Sequence, residues 1–151
     1  METDWHEYFY YKDGKLFNKV DRGKARKGDE AGFKNNKSGY IFLNISGKHC
    51  RVHRIIYTLI KGGIPESCQI DHINGNRADN RIENLRVVTN QENSFNRTEA
   101  KGFSWYARYG QFKAYICKDY KLHHLGYYDT ILDARAAYLR AKREMHIIEE
   151  R

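Results

Sequence analysis

The sequence predicts an α+β fold in two parts, with a polar segment at 98–102 between them. Short runs rich in aromatic and β-branched residues are separated by Asp-Gly and Ser-Gly pairs, which are typical of antiparallel hairpins. Two longer runs carry apolar residues at helical spacing. A chain of 151 residues is long enough for two small domains, and we place them at 1–98 and 99–151.

Two hairpins are predicted in the first part of the chain. The aromatic run 9–17 turns at an Asp-Gly pair, and the runs 40–45 and 49–53 flank a Ser-Gly pair. The segment 21–37 is rich in basic residues and has no periodicity, so it is either a mobile loop or a loop that contacts phosphates. A helix at 54–61 should follow the second hairpin and end at a Gly-Gly pair.

In the last strand of the second hairpin, successive side chains should point to opposite faces of the sheet. Cys50 and Val52 should face the core. The opposite face should carry three basic side chains, those of His49, Arg51 and His53. Two roles stay open for His53, which either approaches the polar motif farther along the chain or caps the helix that follows it.

Composition favours a polyanionic partner. The chain has 27 Lys and Arg against 19 Asp and Glu, a net charge of +8. The alternative is a basic protein that is merely soluble. No run approaches the ~18 apolar residues of a membrane span, and the N-terminal residues do not resemble a signal peptide. Three cysteines, an odd number, fit a reducing compartment, so we expect a cytoplasmic location and no membrane partner.

The polar residues that can carry chemistry lie in the central segment. Residues 68–71 predict a strand that ends near His72, because the Asn-Gly-Asn sequence at 74–76 favours a turn. Residues 85–88 predict the returning strand. A helix should then begin after Thr89, which is a plausible N-cap.

Asp71 and His72 are neighbours, and in a regular strand their side chains would point to opposite faces. Both can serve one site only if the strand bends or ends there, which the turn after His72 allows. A carboxylate, an imidazole and two amides can hold one hard metal ion beside one general base. In a basic chain this combination indicates phosphodiester hydrolysis.

Five short motifs stand at compatible spacing between residues 40 and 97. They are Val52-His53-Arg54, Asp71-His72-Ile73-Asn74-Gly75-Asn76, Asp79-Asn80-Arg81, Glu83-Asn84-Leu85-Arg86 and Glu92-Asn93. Together they resemble the HNH endonucleases of phages and mobile introns. The resemblance implies a ββα-metal unit, in which two strands and a helix surround one divalent metal ion, here preceded by the β-hairpins.

The resemblance also implies roles for four residues. His72 matches the general base and Asp71 a metal ligand. Asn84 matches the middle asparagine, which holds the loop and orients the histidine. Asn93 stands where the family often has histidine, and it would be the second metal ligand. The implied products carry 5′-phosphate and 3′-hydroxyl ends.

The expected metal is Mg²⁺, for which Mn²⁺ can substitute, because a carboxylate and an amide are both oxygen ligands. A structural zinc site is an alternative. Cys50-x-x-His53 and Cys68-x-x-x-His72 have finger-like spacing. We regard zinc as the weaker interpretation, since it would consume His72 as a ligand and leave Asp71, Asn84 and Asn93 without a role.

The second part of the chain predicts a three-stranded antiparallel sheet and a helix. The strands are expected at 103–109, 111–118 and 121–128. Thr130 and Asp133 indicate a capped helix start. The residues expected on the apolar face of this helix are Ile131, Ala134, Tyr138, Ala141 and Met145.

Four segments of this second part carry a further resemblance. They are Lys101-Gly102-Phe103, Phe112-Lys113-Ala114-Tyr115-Ile116, His124-Leu125-Gly126-Tyr127-Tyr128 and Asp133-Ala134-Arg135-Ala136-Ala137-Tyr138. They resemble the AP2 DNA-binding domain over about residues 100–146. The resemblance implies that the exposed face of the sheet lies in the major groove of DNA.

Alternation places Phe112, Ala114 and Ile116 toward the helix and leaves the other sheet face for DNA. The side chains expected to contact DNA from this part are Arg108, Lys113, Tyr115 and His124. Arg86 and Arg97 are the contacts expected from the first part. The alternative is an ordinary sheet-on-helix domain that braces the first part.

We therefore expect a metal-dependent DNA endonuclease of the kind that phage homing endonucleases represent, acting on double-stranded DNA. A single active site per chain allows nicking by a monomer or double-strand cutting by a homodimer. Two other classes stay open. One is a non-catalytic, sequence-specific DNA-binding protein, and the other is a zinc-stabilised interaction module.

Overall fold

The computed structural model describes residues 4–97 and 99–148. These residues form two compact units, of which the first runs to Val88 and the second begins at Thr89. The fold is mixed α/β with several small sheets. Among the described residues, no helix is both long and apolar enough to span a membrane.

The first unit consists of three small sheets and three short helices among its described residues. In chain order they are α1 (Trp5–Tyr8), β1 (Phe9–Lys12), β2 (Lys15–Asn18), β3 (Glu30–Ala31), β4 (Phe33–Lys34), β5 (Ile41–Ile45), β6 (Lys48–Arg51), α2 (Val52–Lys61), β7 (Cys68–His72), a short 3₁₀ helix (Ile82–Asn84) and β8 (Leu85–Thr89). The sheets are β1-β2-β3, β4-β5-β6 and β7-β8. The buried core of this unit includes Phe9, Leu16, Leu43, Val52, Ile55, Ile56, Ile70, Leu85 and Val87, and Trp5 packs against it.

Both predicted hairpins of the first unit are present. Asp13 and Gly14 have φ angles of 48° and 81°, and Ser46 and Gly47 have φ angles of 49° and 74°. Two consecutive residues with positive φ form the kind of turn whose twist matches the flanking antiparallel strands. This is the physical reason that the Asp-Gly and Ser-Gly pairs predict the hairpins.

The basic segment 21–37 contributes strands that its sequence does not predict. Within it, β3 pairs with β2 and β4 pairs with β5. The buried residue Asn18 anchors the segment, since its backbone N–H donates to the carbonyl of Asp29 at 3.0 Å and its carbonyl accepts from Gly28 at 2.8 Å. These partners are about ten residues apart in sequence, so a pattern of neighbouring residues does not predict that they pair.

The helix α2 begins earlier than expected. Its N-cap is Arg51, so Val52 and His53 belong to the helix and not to the preceding strand. The predicted position of His53 on the strand face opposite Cys50 and Val52 is therefore wrong, and its side chain is 2% exposed. The helix ends as predicted at Gly62, whose φ of 85° is the left-handed conformation that closes many helices.

The second unit combines a short helix with a three-stranded antiparallel sheet and a long helix. Its elements are α3 (Asn90–Phe95), β9 (Phe103–Tyr106), β10 (Gln111–Lys118), β11 (Lys121–Tyr128) and α4 (Ile131–Met145). The sheet order is β11-β10-β9, with β10 in the centre. The first strand is shorter than predicted, because residues 107–110 form a turn, and Trp105 at its end is 57% exposed.

The long helix α4 covers one face of this sheet, as alternation predicts. Ala114 of β10 is fully buried with Ala134 and Ala137 of the helix. Thr130 caps the helix by accepting a hydrogen bond from the backbone N–H of Asp133. The predicted place of Ile131 on the apolar face is wrong, since it is 52% exposed. Helical periodicity defines a face but does not show where the opposing sheet ends.

The helix α3 belongs to the second unit. Phe95 stacks on His146 with ring centroids 4.0 Å apart, and the Lys142 ammonium donates to the carbonyl of Arg97 at 2.9 Å. Thr89 caps this helix in a capping box with Glu92, as the sequence indicates for its N-cap. The compact units thus divide about ten residues before the expected domain boundary at 98.

Candidate active site

Asp71 and His72 both lie in the interior of the first unit, with 9% and 3% of their surfaces exposed. They are the last two residues of β7, and the carbonyl of His72 accepts a hydrogen bond from Gly75 at 2.9 Å. The strand therefore ends in a turn directly after this pair. That ending is the condition under which two adjacent residues can serve one site.

Asn84 holds the turn that follows His72. Its Oδ1 accepts from the backbone N–H of Asn74 at 3.0 Å, and its Nδ2 donates to the carbonyl of Asp79 at 2.8 Å. The backbone N–H of Ile73 also donates to the carbonyl of Asn84 at 2.9 Å. These contacts are of the loop-holding kind that the resemblance implies for this asparagine.

The amide that bonds the His72 ring belongs to Asn80. Its Oδ1 lies 2.9 Å from Nε2 of His72, and Asn80 is 1% exposed. An amide oxygen only accepts hydrogen bonds, so with this oxygen facing the ring Nε2 carries the proton and Nδ1 is the nitrogen that can accept one. Asn80 lies in the motif Asp79-Asn80-Arg81, but nothing in the sequence predicts its contact with His72.

Two aromatic rings pack against His72. The ring of His53 meets it edge-on, with centroids 4.9 Å apart and an interplanar angle of 79°. The ring of Tyr40 lies 5.9 Å from His72 and 5.3 Å from His53. Of the two roles left open for His53, the structure supports approach to the motif, because the helix cap is Arg51.

Burial, together with smaller electrostatic effects of His72, Arg51 and Arg54, lowers the pKa of His53 to about 3. His53 is therefore neutral at neutral pH. A neutral imidazole beside His72 places no fixed positive charge against the ring that is expected to accept a proton.

This burial predicts a pH-dependent stability. Because the folded-state pKa of His53 is below its unfolded value of about 6.5, the unfolded chain binds more protons between pH 6.5 and 3, and the free energy of unfolding falls as the pH falls through that window. From pH 7 to pH 5 we expect His53 to account for a loss of about 2 kcal/mol. Urea unfolding of wild type and His53→Phe at both pH values measures it. An equal loss in the two proteins would contradict the assignment.

Asp71 is paired with Arg86. Two nitrogens of the guanidinium, Nε and Nη2, donate to Oδ2 of Asp71 at 3.0 and 2.8 Å. Arg86 is predicted to contact DNA and Asp71 to hold a metal, and the structure brings the two side chains together. The Asp71 side chain is 10% exposed, so the pair is largely shielded from water.

The donor chemistry at Asp71 fits a hard cation, because a carboxylate supplies the oxygen ligands that Mg²⁺ prefers. Within residues 4–97 and 99–148, no group of three or more His, Cys, Asp or Glu is arranged to hold a metal ion. The expected ligand pair of one aspartate and one asparagine is not a group of that kind. Asn93 is half-buried on α3 in the second unit.

Asp79 stabilises the turn that follows His72, and its carboxylate is occupied by hydrogen bonds within that turn. Its two oxygens accept from Nε and Nη2 of Arg81 at 2.8 and 2.7 Å, and its Oδ2 also accepts from Asn74 at 2.8 Å. The hydrogen bonds from Arg81 hold the pKa of this carboxyl well below its usual range. Asp79 is therefore charged at all but strongly acidic pH, and its hydrogen bonds hold the turn in that range.

The predicted DNA contacts of the second unit lie around the uncovered face of its sheet. The Lys113 ammonium is 5.9 Å from the Tyr106 ring, and the Arg108 guanidinium is 5.9 Å from the Tyr109 ring. Tyr115 of β10 is paired in register with His124 of β11. Arg97, which follows α3, is exposed. Contact of these side chains with DNA stays a prediction.

Comparison with known proteins identifies the family. A family model described as HNH endonuclease matches residues 50–95. Protein 3.8 of Escherichia phage T7 is 30% identical over 103 residues, which are 64% of this chain and 84% of that protein. No solved structure matches.

Two proteins of Acanthamoeba polyphaga mimivirus also match, each named as an uncharacterized HNH endonuclease. L560 is 48% identical over 63 residues, 41% of this chain and 33% of the relative. L247 is 38% identical over 65 residues, 38% of this chain and 16% of the relative. The chain spans a third or less of these relatives, but it spans most of the phage protein. The residues that the family model matches include Asp71, His72, Asn80 and Asn84. The chain therefore belongs to the HNH endonuclease family.

Proposed function

We propose that this chain is a metal-dependent endonuclease that hydrolyses phosphodiester bonds in double-stranded DNA and leaves 5′-phosphate and 3′-hydroxyl ends. The observation that carries the proposal is the buried His72, bonded through Nε2 to Asn80 at the end of the strand that holds Asp71. Family membership supports nuclease activity, and HNH nucleases generally use a divalent metal. Action as a phage homing endonuclease is part of the same proposal.

His72 acts as the general base in this mechanism. Its Nδ1 takes a proton from water, and the water oxygen attacks the phosphorus in line with the departing 3′ oxygen. Asn80 keeps the proton on Nε2, so the imidazole presents its basic nitrogen throughout. His53 and Tyr40 restrict the orientation of the ring by packing against it. A restricted base loses less entropy on reaching the transition state.

Asp71 would hold the metal, with Asn93 as the second protein ligand implied by the sequence motif. A bound Mg²⁺ would stabilise the charged transition state and the leaving oxygen. Arg86 already donates two hydrogen bonds to Asp71, so guanidinium and cation would share or compete for this carboxylate. Arg86 also neutralises the carboxylate, which lowers the cost of burying it.

The second unit would determine most of the preference for a particular DNA sequence. Its sheet has one face covered by α4, while the other face presents Lys113 and Tyr115 with Arg108 and His124 nearby. This arrangement is consistent with an AP2-like reader of the major groove, which is the second half of our proposal. Arginine and lysine beside tyrosine rings can contact phosphates, and the rings can pack on sugars or bases.

Cleavage of supercoiled plasmid DNA tests the proposed activity. With Mg²⁺ or Mn²⁺ we expect nicked or linear product, and a chelator should abolish it. Nicks should be sealed by DNA ligase, because ligation requires a 5′-phosphate beside a 3′-hydroxyl. Binding without cleavage under any metal condition would favour the non-catalytic DNA-binding alternative. Elemental analysis of protein purified without added metal tests the zinc alternative, and the ratio of nicked to linear product bears on monomer against homodimer.

A further inference from the structure

The ring of Tyr40 carries two arginines. The Cζ atom of Arg51 lies 4.9 Å from the ring centroid, and that of Arg77 lies 5.0 Å from it. Guanidinium groups are attracted to the faces of aromatic rings, so the ring serves as a platform for both cations. Because Tyr40 also packs against His53 and His72, it connects these cations to the base.

Arg77 is held in place by the backbone of the loop that leads to Tyr40. Its Nη1 donates to the carbonyl of Ser38 at 3.1 Å. The loop is closed by two hydrogen bonds, from Gly39 to the carbonyl of Asn35 at 2.7 Å and from Asn35 to the carbonyl of Tyr40 at 2.9 Å. A cation that is already ordered loses less conformational entropy when it binds an anion.

These two arginines differ from their neighbours in charge compensation. Arg81 and Arg86 each pair with an aspartate, at 2.7 and 2.8 Å. In the parts of the chain that the structure describes, Arg51 and Arg77 have no carboxylate oxygen within 4.0 Å. Both are exposed. Two uncompensated guanidinium groups on one ring make a site for an anion.

The distance to the base fits a neighbouring backbone phosphate. The separation of Arg77 from Tyr40 and that of Tyr40 from His72 together limit the distance from the guanidinium to the His72 ring to about 11 Å. One DNA strand rises about 3.4 Å per nucleotide, so this limit corresponds to about three nucleotides. A phosphate bound there would lie close to the phosphate on which His72 acts.

We propose that Arg51 and Arg77 form a phosphate clamp, seated on Tyr40, that binds the DNA backbone within about three nucleotides of the scissile bond. The inference rests on the proposed function and names a substrate contact for it. The clamp fixes the position of one strand, so the scissile phosphorus comes within reach of the base. Arg86, by contrast, is engaged by Asp71.

Salt-dependent binding tests the clamp without requiring cleavage. Arg51→Gln, Arg77→Gln and the double variant are made in the His72→Ala chain, and binding to a 30-base-pair duplex is measured with chelator present over a range of salt. The matched control is Lys61→Gln, which removes one exposed positive charge at the far end of α2. We expect each clamp variant to lower the slope of log K against log salt by ~0.9 and the double variant by about twice that.

Affinity should fall about tenfold for each clamp variant, and by clearly less for the Lys61→Gln control. Slopes for the clamp variants that equal the control slope would overturn the proposal, and they would leave an acidic protein as the partner to seek for this surface. Failure of the proposed function looks different. In that case the His72-intact chain would not cut DNA under any metal condition, while the clamp variants would still change the salt slope.

Discussion

Replacing His72 by alanine is expected to reduce DNA cleavage by about 10²–10⁴-fold, the usual contribution of a general base. The affinity for DNA should remain, because the ring is 3% exposed and so forms almost none of the protein surface. Single-turnover cleavage of supercoiled DNA with Mg²⁺ measures the first effect. Binding of a labelled duplex in the presence of a chelator measures the second.

Asn80→Ala supplies the matched comparison for this variant. It keeps the imidazole but removes the acceptor that holds the proton on Nε2, so its rate should fall between those of wild type and His72→Ala. Urea unfolding must accompany both variants, since each removes a buried side chain. Cleavage by a folded His72→Ala chain at the wild-type rate would contradict the assignment of His72 as the general base.

Replacing Gly102 by alanine is expected to destabilise the second unit by about 2–5 kcal/mol. A Cβ atom at this position would lie 2.1 Å from ring carbons of Tyr138, and the φ of +73° is unfavourable for any other residue. Tyr138 is 5% exposed on α4, so its ring has little space into which to move. Urea unfolding followed by circular dichroism measures the loss.

Gly110→Ala separates the clash from the backbone strain. Gly110 also has a positive φ, of +62°, but apart from the residue itself and its two chain neighbours, no heavy atom of the described residues lies within 4 Å of the position that its Cβ would occupy. We expect a loss of only about 1–2 kcal/mol, the cost of the left-handed conformation alone. Equal losses for the two alanine variants would show that the contact between Gly102 and Tyr138 is not tight.

Most of the fold could be predicted because its turns and helix ends depend on residues that are close in sequence. The Asp-Gly and Ser-Gly turns, the glycine end of α2 and the threonine caps of α3 and α4 each depend on residues a few positions apart. Errors arose where the outcome depends on distant partners. The strands β3 and β4 exist because β2 and β5 pair with them, and Ile131 is exposed although its helical spacing is apolar.

The same distinction applies to the site. Asp71 and His72 stand in one short motif and Asn84 in another about ten residues later, and the structure places Asn84 on the turn that follows His72. Asn80 stands in a third motif between them, and its contact with His72 requires the turn to fold back. The contact of His53 with His72 depends on the position of α2 beside β7, which no spacing within the sequence shows.

The two tryptophans of the chain fall one in each unit. Trp5 packs against the buried core of the first unit, and Trp105 sits largely exposed at the end of β9, edge-on to Phe112. Replacing Trp105 by phenylalanine therefore gives a chain whose indole fluorescence reports on the first unit alone. With that single optical probe, damage to the folding around His72 becomes measurable apart from any change in the second unit.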